Sequence, residues 1–150
     1  MLADLHPAIR ALDALPWPCH LIGSRYVGVH GRGSDHDYLL IVSNRLEAAD
    51  ALRGAGFVYA EGGPYGDDER MTLYRWEDPE RALPSVDALI VDEAEGARRL
   101  AFFRAQRELG HARGGKLALA LKEQKAWGSL WQILATLERQ WKAAARKEVR

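Results

Sequence analysis

Two aspartates one residue apart, Asp35 and Asp37, open an apolar run from Tyr38 to Val42. Alternation along an extended strand puts both carboxylates on one face, close together. Like charges so placed repel, and a cation between them removes the conflict. Hard oxygen donors of this kind suit Mg²⁺, which completes its octahedron with substrate phosphates. Upstream, Gly23 and Ser24 end another short apolar run, Cys19 to Ile22. Gly23 lets backbone approach a phosphate closely, and the Ser24 hydroxyl with neighbouring N–H groups can donate to its oxygens. Arg25 follows, either to neutralise a polyphosphate or as a surface charge beside the turn. Polyphosphate, divalent metal and paired carboxylates belong together.

The order of these residues, with Gly28 in the spacer and Ser34 before the aspartates, resembles the polymerase-beta-like nucleotidyltransferase superfamily, especially its minimal members. The resemblance covers residues 19–92. It implies transfer of a nucleoside monophosphate from a nucleoside triphosphate to a hydroxyl acceptor by two-metal chemistry, with pyrophosphate released. Asp35 and Asp37 would hold the Mg²⁺ (or Mn²⁺) that escorts the triphosphate, and both would face a second ion. The family places a third carboxylate on a later strand, which would complete the second metal and help remove the acceptor's proton. Gly23, Ser24, Arg25 and Ser34 would bind the triphosphate, with ATP a natural donor.

Asp87, which leads the run Val86 to Val91, is the third-carboxylate candidate, and Asp92 competes with it. Parity favours Asp87, because in a regular strand Asp92 points to the opposite face. Tyr26 stands after Arg25 where many members of the superfamily have a small residue, a departure that bears on the shape of the phosphate turn. His36, between the aspartates, faces the other way and reads as a packed or exposed imidazole, not a ligand. His30 in the glycine segment is a weaker candidate for touching substrate. A partial phosphate-loop pattern, Gly110 to Lys116, is dismissed: Leu117 replaces the required hydroxyl and a helix, not a strand, precedes it.

These residues need a scaffold, and 150 residues suffice for one core. Apolar spacing predicts a helix over Leu2–Leu15, ended by Pro16 and Pro18, and another over Glu47–Arg53. Strands are expected at Cys19–Ile22, Asp37–Val42, Phe57–Ala60, Met71–Trp76 and Val86–Val91, with a loop at Glu61–Asp68 closing a hairpin. Helical patterning follows over Ala97–His111 and again from Trp127 to Trp141, whose tryptophan stripe reads as core packing. The expected class is α+β, a nucleotidyltransferase-like mixed sheet with flanking helices. Residues 1–96 would form the core and residues 97–150 a basic helical extension packed on the same domain.

Composition narrows the setting. Hydrophobic residues make 47% and charged residues 28% of the chain, ordinary for a globular protein. The apolar runs are too short for a bilayer span, and no signal-peptide pattern opens the sequence, which together predict a cytoplasmic protein. Cys19 is the only cysteine, so an intramolecular disulfide and a cysteine-rich zinc site are excluded. Net charge is zero but divided: residues 1–96 hold 8 Arg against 17 Asp and Glu, residues 97–150 hold 13 Lys and Arg against 4 Glu. An acidic site beside a basic surface suits a metal meeting a polyanion. The acceptor stays open among an RNA end, a protein hydroxyl and a small molecule, and pairing with a second copy is allowed. Two other classes stand beside the enzyme: a nucleotide-binding regulatory partner without turnover, and an interaction module built on the tryptophan helix.

Overall fold

The structure is a computed structural model and describes residues 6–28, 30–60 and 71–111, together with 116, 139, 140 and 143. In chain order the elements are α1 (Pro7–Asp13), β1 (Cys19–Ile22), α2 (Gly23–Val27), β2 (His36–Val42), α3 (Arg45–Gly54), β3 (Val58–Ala60), β4 (Met71–Trp76), β5 (Val86–Asp92) and α4 (Glu93–His111). The class is α+β, as expected. Strand positions match the sequence reading to within a residue. Both the tryptophan stripe and the loop at Glu61–Asp68 lie outside the described residues.

The strands form one mixed sheet in the order β1-β2-β5-β4-β3. β2 and β5 run parallel at its centre, and every other pair is antiparallel. A parallel pair requires a crossover, here one that carries α3 and the β3–β4 hairpin. β5 is the apolar spine, buried from Val86 to Val91 because both its faces are covered. On one face α1 and α3 cover Leu40, Val42, Ala88 and Ile90 with Ile9, Leu12, Ala48 and Leu52. On the other, Phe102 and Phe103 of α4 close over Ile22, Leu39, Leu73, Leu89 and Val91.

Side-chain caps fix where two of the helices, α3 and α4, start. Asn44 Oδ1 accepts from the backbone N–H groups of Leu46 and Glu47, opening α3. Asp92 Oδ1 does the same for Glu95 N at 2.8 Å, so α4 begins at Glu93, ahead of the expected Ala97. The sequence reading took Gly23-Ser24 as a turn; the chain instead makes one and a half turns of helix, ended by Gly28 in the left-handed region at φ 90°. Cys19 is a packed thiol, pushed up to about 12 by burial and then by Asp13.

α4 lies close on the sheet at Gly96. A Cβ there would stand 2.7 Å from Ile41 Cγ2 and 2.8 Å from Cγ1, which are bonded directly to the branched Cβ and have little room to give. Gly96→Ala gains about 1 kcal/mol of helix propensity, but overpacking costs about 1–3 kcal/mol. The expected result is net destabilisation in chemical unfolding. Combined with Ile41→Ala, the double variant should be more stable than the sum of the single effects; simple additivity would count against this contact.

Candidate active site

Register builds the site. Ile22 pairs with Asp37, Asp37 with Asp87, and Asp87 with Arg75, so one row of side chains crosses four strands on one face at one end of the sheet. Residues directly opposite share a face, and neighbouring strands lie about 4.8 Å apart. Asp37 and Asp87, fifty positions apart in sequence, are therefore immediate neighbours. Asp92 sits at the far end of β5 opposite Val42, occupied with capping α4. Of the two candidates for a third carboxylate, only Asp87 stands beside Asp37.

Each carboxylate has a different partner. Arg75 grips Asp87 with two parallel hydrogen bonds, Nε to Oδ1 at 2.7 Å and Nη2 to Oδ2 at 2.9 Å. Asp35, just before β2, accepts from the Ser85 hydroxyl at 2.7 Å. Asp37 contacts the Asp87 carboxyl; burial first, then Asp87 and Asp35, pushes it up to about 7, with Arg75 pulling the other way. Asp37 is the carboxylate in electrostatic conflict.

Gly23 is fitted to that conflict. Its φ is +74°, and an added Cβ would lie 2.2 Å from Asp37 Oδ2. Glycine is required twice over here, for the backbone conformation and for the space the Asp37 carboxyl fills. Ser24 follows in the first turn of α2. Arg25 turns to the loop: its Nε and Nη2 donate to the Ser34 carbonyl at 3.2 and 2.8 Å. The Ser34 hydroxyl in turn accepts from Gly31 N at 2.8 Å. Arg25 and Ser34 thus brace the segment that delivers Asp35.

His36, on the opposite face, is buried edge-on to His6, their ring centroids 5.6 Å apart. Burial, then Arg25, His6 and His30, pushes its imidazole down to about 4, so it stays neutral at physiological pH. His6 donates from Nε2 to the Pro84 carbonyl at 2.9 Å. A cavity of about 530 Å³ lies against this side, lined by His6, Arg25, His30 and Arg32 among others. Of the two placements its sequence position left open, packed and exposed, His36 takes the packed one, and His30 lines this cavity.

A divalent cation fits the Asp37–Asp87 pair. Two adjacent carboxylates, Asp87 buried and Asp37 half-buried, supply what Mg²⁺ takes from protein when phosphate oxygens and water provide the rest. A three-carboxylate set is another matter: among the described residues no group of three His, Cys, Asp or Glu side chains converges to hold one ion. Sequence reasoning missed Ser85 and Arg75. Ser85 gives no signal, but Arg75 is the one charged residue inside β4, a sign of a residue with a buried partner.

No protein-family model matches the chain, and no curated protein does. Solved structures to which it is similar include terminal uridylyl transferase 4 from Trypanosoma brucei with bound GTP, at 20% identity over 69% of this chain and 33% of that one, TM-score 0.42. The Cid1 poly(U) polymerase, in an MgGTP-bound structure, is 17% identical over 81% of this chain and 40% of its own, TM-score 0.47. A cytoplasmic RNA terminal U-transferase is 14% identical over 71% and 32%, TM-score 0.40. The chain spans between a third and two-fifths of their length.

Two outcomes follow from the site. Gly23→Ala should cost about 1 kcal/mol for the left-handed backbone and more for the clash with Asp37. Thermal unfolding should show part of that cost recovered in an Asp37→Ala background; full additivity would separate the two positions. Asp37 has its folded value raised above the ordinary 3.8, so the folded state binds more protons than the unfolded chain between about pH 4 and pH 7. Stability contributed at low pH is therefore lost as pH rises through that window. In EDTA, Asp37→Asn should raise Tm at pH 8 by roughly 2–4 °C per kcal/mol relieved and leave it nearly unchanged at pH 4. Equal effects at both pH values would contradict the assignment.

Proposed function

We propose that the chain is a metal-dependent nucleotidyltransferase core, moving a nucleoside monophosphate from a nucleoside triphosphate to a hydroxyl acceptor. The supporting observation is the register of β2 against β5, which sets Asp37 beside Asp87 with the Gly23 backbone against the Asp37 carboxyl. Asp37 and Asp87 would hold Mg²⁺ or Mn²⁺, with Asp35 adjacent. The ion supplies charge stabilisation at the transferring phosphoryl group. Gly23 and Ser24 present backbone N–H groups and a hydroxyl to the triphosphate. Arg25 and Ser34 shape the loop, and Arg25 keeps guanidinium hydrogens free of the Ser34 carbonyl for a phosphate oxygen.

In the reaction the acceptor oxygen attacks the α-phosphorus, and the bond to the bridging oxygen of pyrophosphate breaks. The acceptor proton passes to a carboxylate of the pair. Positioning and electrostatics supply most of the acceleration in such displacements. The basic residues of 97–150 suit an RNA acceptor, whose binding would then weaken steeply with salt. No helix among the described residues is long and apolar enough to cross a membrane.

One observation favours the reading without turnover: Asp87 is already satisfied by Arg75. Transfer of α-labelled ribonucleoside triphosphates, with Mg²⁺ or Mn²⁺, into total RNA, cell protein and the chain itself separates the two. Label should enter one pool and fall at least about 100-fold with Asp37→Asn, since several kcal/mol of charge stabilisation are removed. Triphosphate binding with no transfer to any pool, or to candidate small-molecule hydroxyls, would establish the regulatory reading instead.

A further inference from the structure

We propose that the cavity on the His36 side of the sheet is a second phosphate site, which takes a nucleotide unit by its phosphate and its ring, apart from the donor triphosphate and without metal.

Its position separates it from the carboxylate row. His36 pairs with Val86 one step before Asp37 meets Asp87, and alternation sends its ring to the face that α1 covers. The walls come from His6 at the start of α1, from residues 30–32, from Leu83 and Pro84, and from His36 itself. Only Arg25 belongs also to the triphosphate turn. The volume of about 530 Å³ falls within the roughly 300–1,000 Å³ of small-ligand sites.

The chemistry of the lining is one-sided. Residues 1–96 hold 17 acidic residues against 8 arginines. Yet among the described residues that line this cavity none is acidic, while two are arginines and three are histidines. The two carboxylates that neighbour its imidazoles are engaged elsewhere. Asp35 accepts from the Ser85 hydroxyl, and Asp78 accepts from the backbone N–H groups of Glu80, Ala82 and Leu83. Guanidinium forks at a cavity without carboxylates suit phosphate oxygens. Imidazole rings beside Leu83 and Pro84 give flat walls on which a base can stack.

The cavity is also held in shape. Ser34 N donates to the Gly31 carbonyl at 3.3 Å and Gly31 N to the Ser34 hydroxyl at 2.8 Å, which closes the turn carrying Arg32. Arg25 clasps the Ser34 carbonyl from the other side. His6 is fixed to Pro84 through Nε2 and stands edge-on to Trp76, ring centroids 5.0 Å apart. Its Nδ1 is buried without a hydrogen-bond partner, an orphan of the kind that marks a ligand or water site. With Nε2 donating, Nδ1 is an acceptor, matched to a sugar hydroxyl or a base N–H.

The test runs in EDTA, so that the carboxylate row holds no cation. AMP, GMP, CMP and UMP are titrated separately into the ¹³C-labelled chain, and the imidazole C–H signals are followed by NMR. With at least one of them, His6, His30 and His36 should shift together and saturate, while His20 in β1, outside the cavity, stays in place. Arg32→Gln, in an exposed turn, should weaken binding roughly tenfold, the loss of one charge-assisted contact. Arg104→Gln removes an exposed charge of α4 and should leave affinity within about twofold. Equal losses in the two variants would reduce the effect to unselective charge attraction and overturn the proposal. So would the absence of a saturable shift with all four nucleotides, or a nucleoside or inorganic phosphate binding as tightly as the nucleotide. A short single-stranded RNA identifies the source: tighter binding than the mononucleotide assigns the site to an acceptor strand, equal or weaker binding to a free nucleotide. None of these readouts uses metal or turnover, so a failure of label transfer would sink the nucleotidyltransferase reading and leave this one standing.

Discussion

Two acidic side chains meet at one end of the two central strands of a hydrophobic sheet, and the surroundings are arranged around that repulsion. Asp37 and Asp87 occupy facing positions of the β2–β5 pair, Asp87 buried and Asp37 half-buried. Burial raises the cost of ionising Asp37, and the neighbouring Asp87 raises it further. Gly23 leaves space for one carboxyl, Arg75 neutralises the other, and Ser85 turns Asp35 aside. A hydrophobic pair in these positions would give a more stable sheet, by the general economics of buried ions. Retaining the carboxylates therefore calls for a chemical use, and divalent metal with polyphosphate is the use the residue types suit.

Much of this was legible in the sequence because it depends on short-range pattern. Strand limits followed from apolar runs bounded by glycine and proline, and β1 and β4 fell where those boundaries put them. Asp35 and Asp37 declared themselves by spacing, and parity separated Asp87 from Asp92. What stayed hidden depends on register between strands distant in the chain. Nothing local says that Arg75 faces Asp87 or that Ser85 reaches Asp35. The helical turn at Gly23–Val27 was concealed for another reason: glycine at both ends reads as loop, and here those glycines serve as a close approach and a left-handed stop.

Arg25 and Ser34 show how one residue type supports two readings. Both were expected at the triphosphate, and both are engaged in holding the loop before Asp35. The roles are compatible, since a guanidinium has five donors and the Ser34 carbonyl takes two. A brace that also faces substrate couples loop order to ligand. The same economy recurs in β5, whose two aspartates serve opposite ends: Asp87 in the acidic row, Asp92 as the start of α4.

The distance in sequence between Asp37 and Asp87 has a kinetic consequence. Parallel pairing of β2 with β5 closes a long loop, and contacts of that separation form late because their entropy must be met before they are rewarded. During synthesis the Asp-x-Asp segment emerges well before its partner strand. Until β5 has been made and paired, these carboxylates remain separately hydrated and offer only a weak, unselective cation site. On the proposed reading, competence to bind metal and nucleotide would be tied to completion of the sheet, and a chain lacking a paired β5 would not assemble the site.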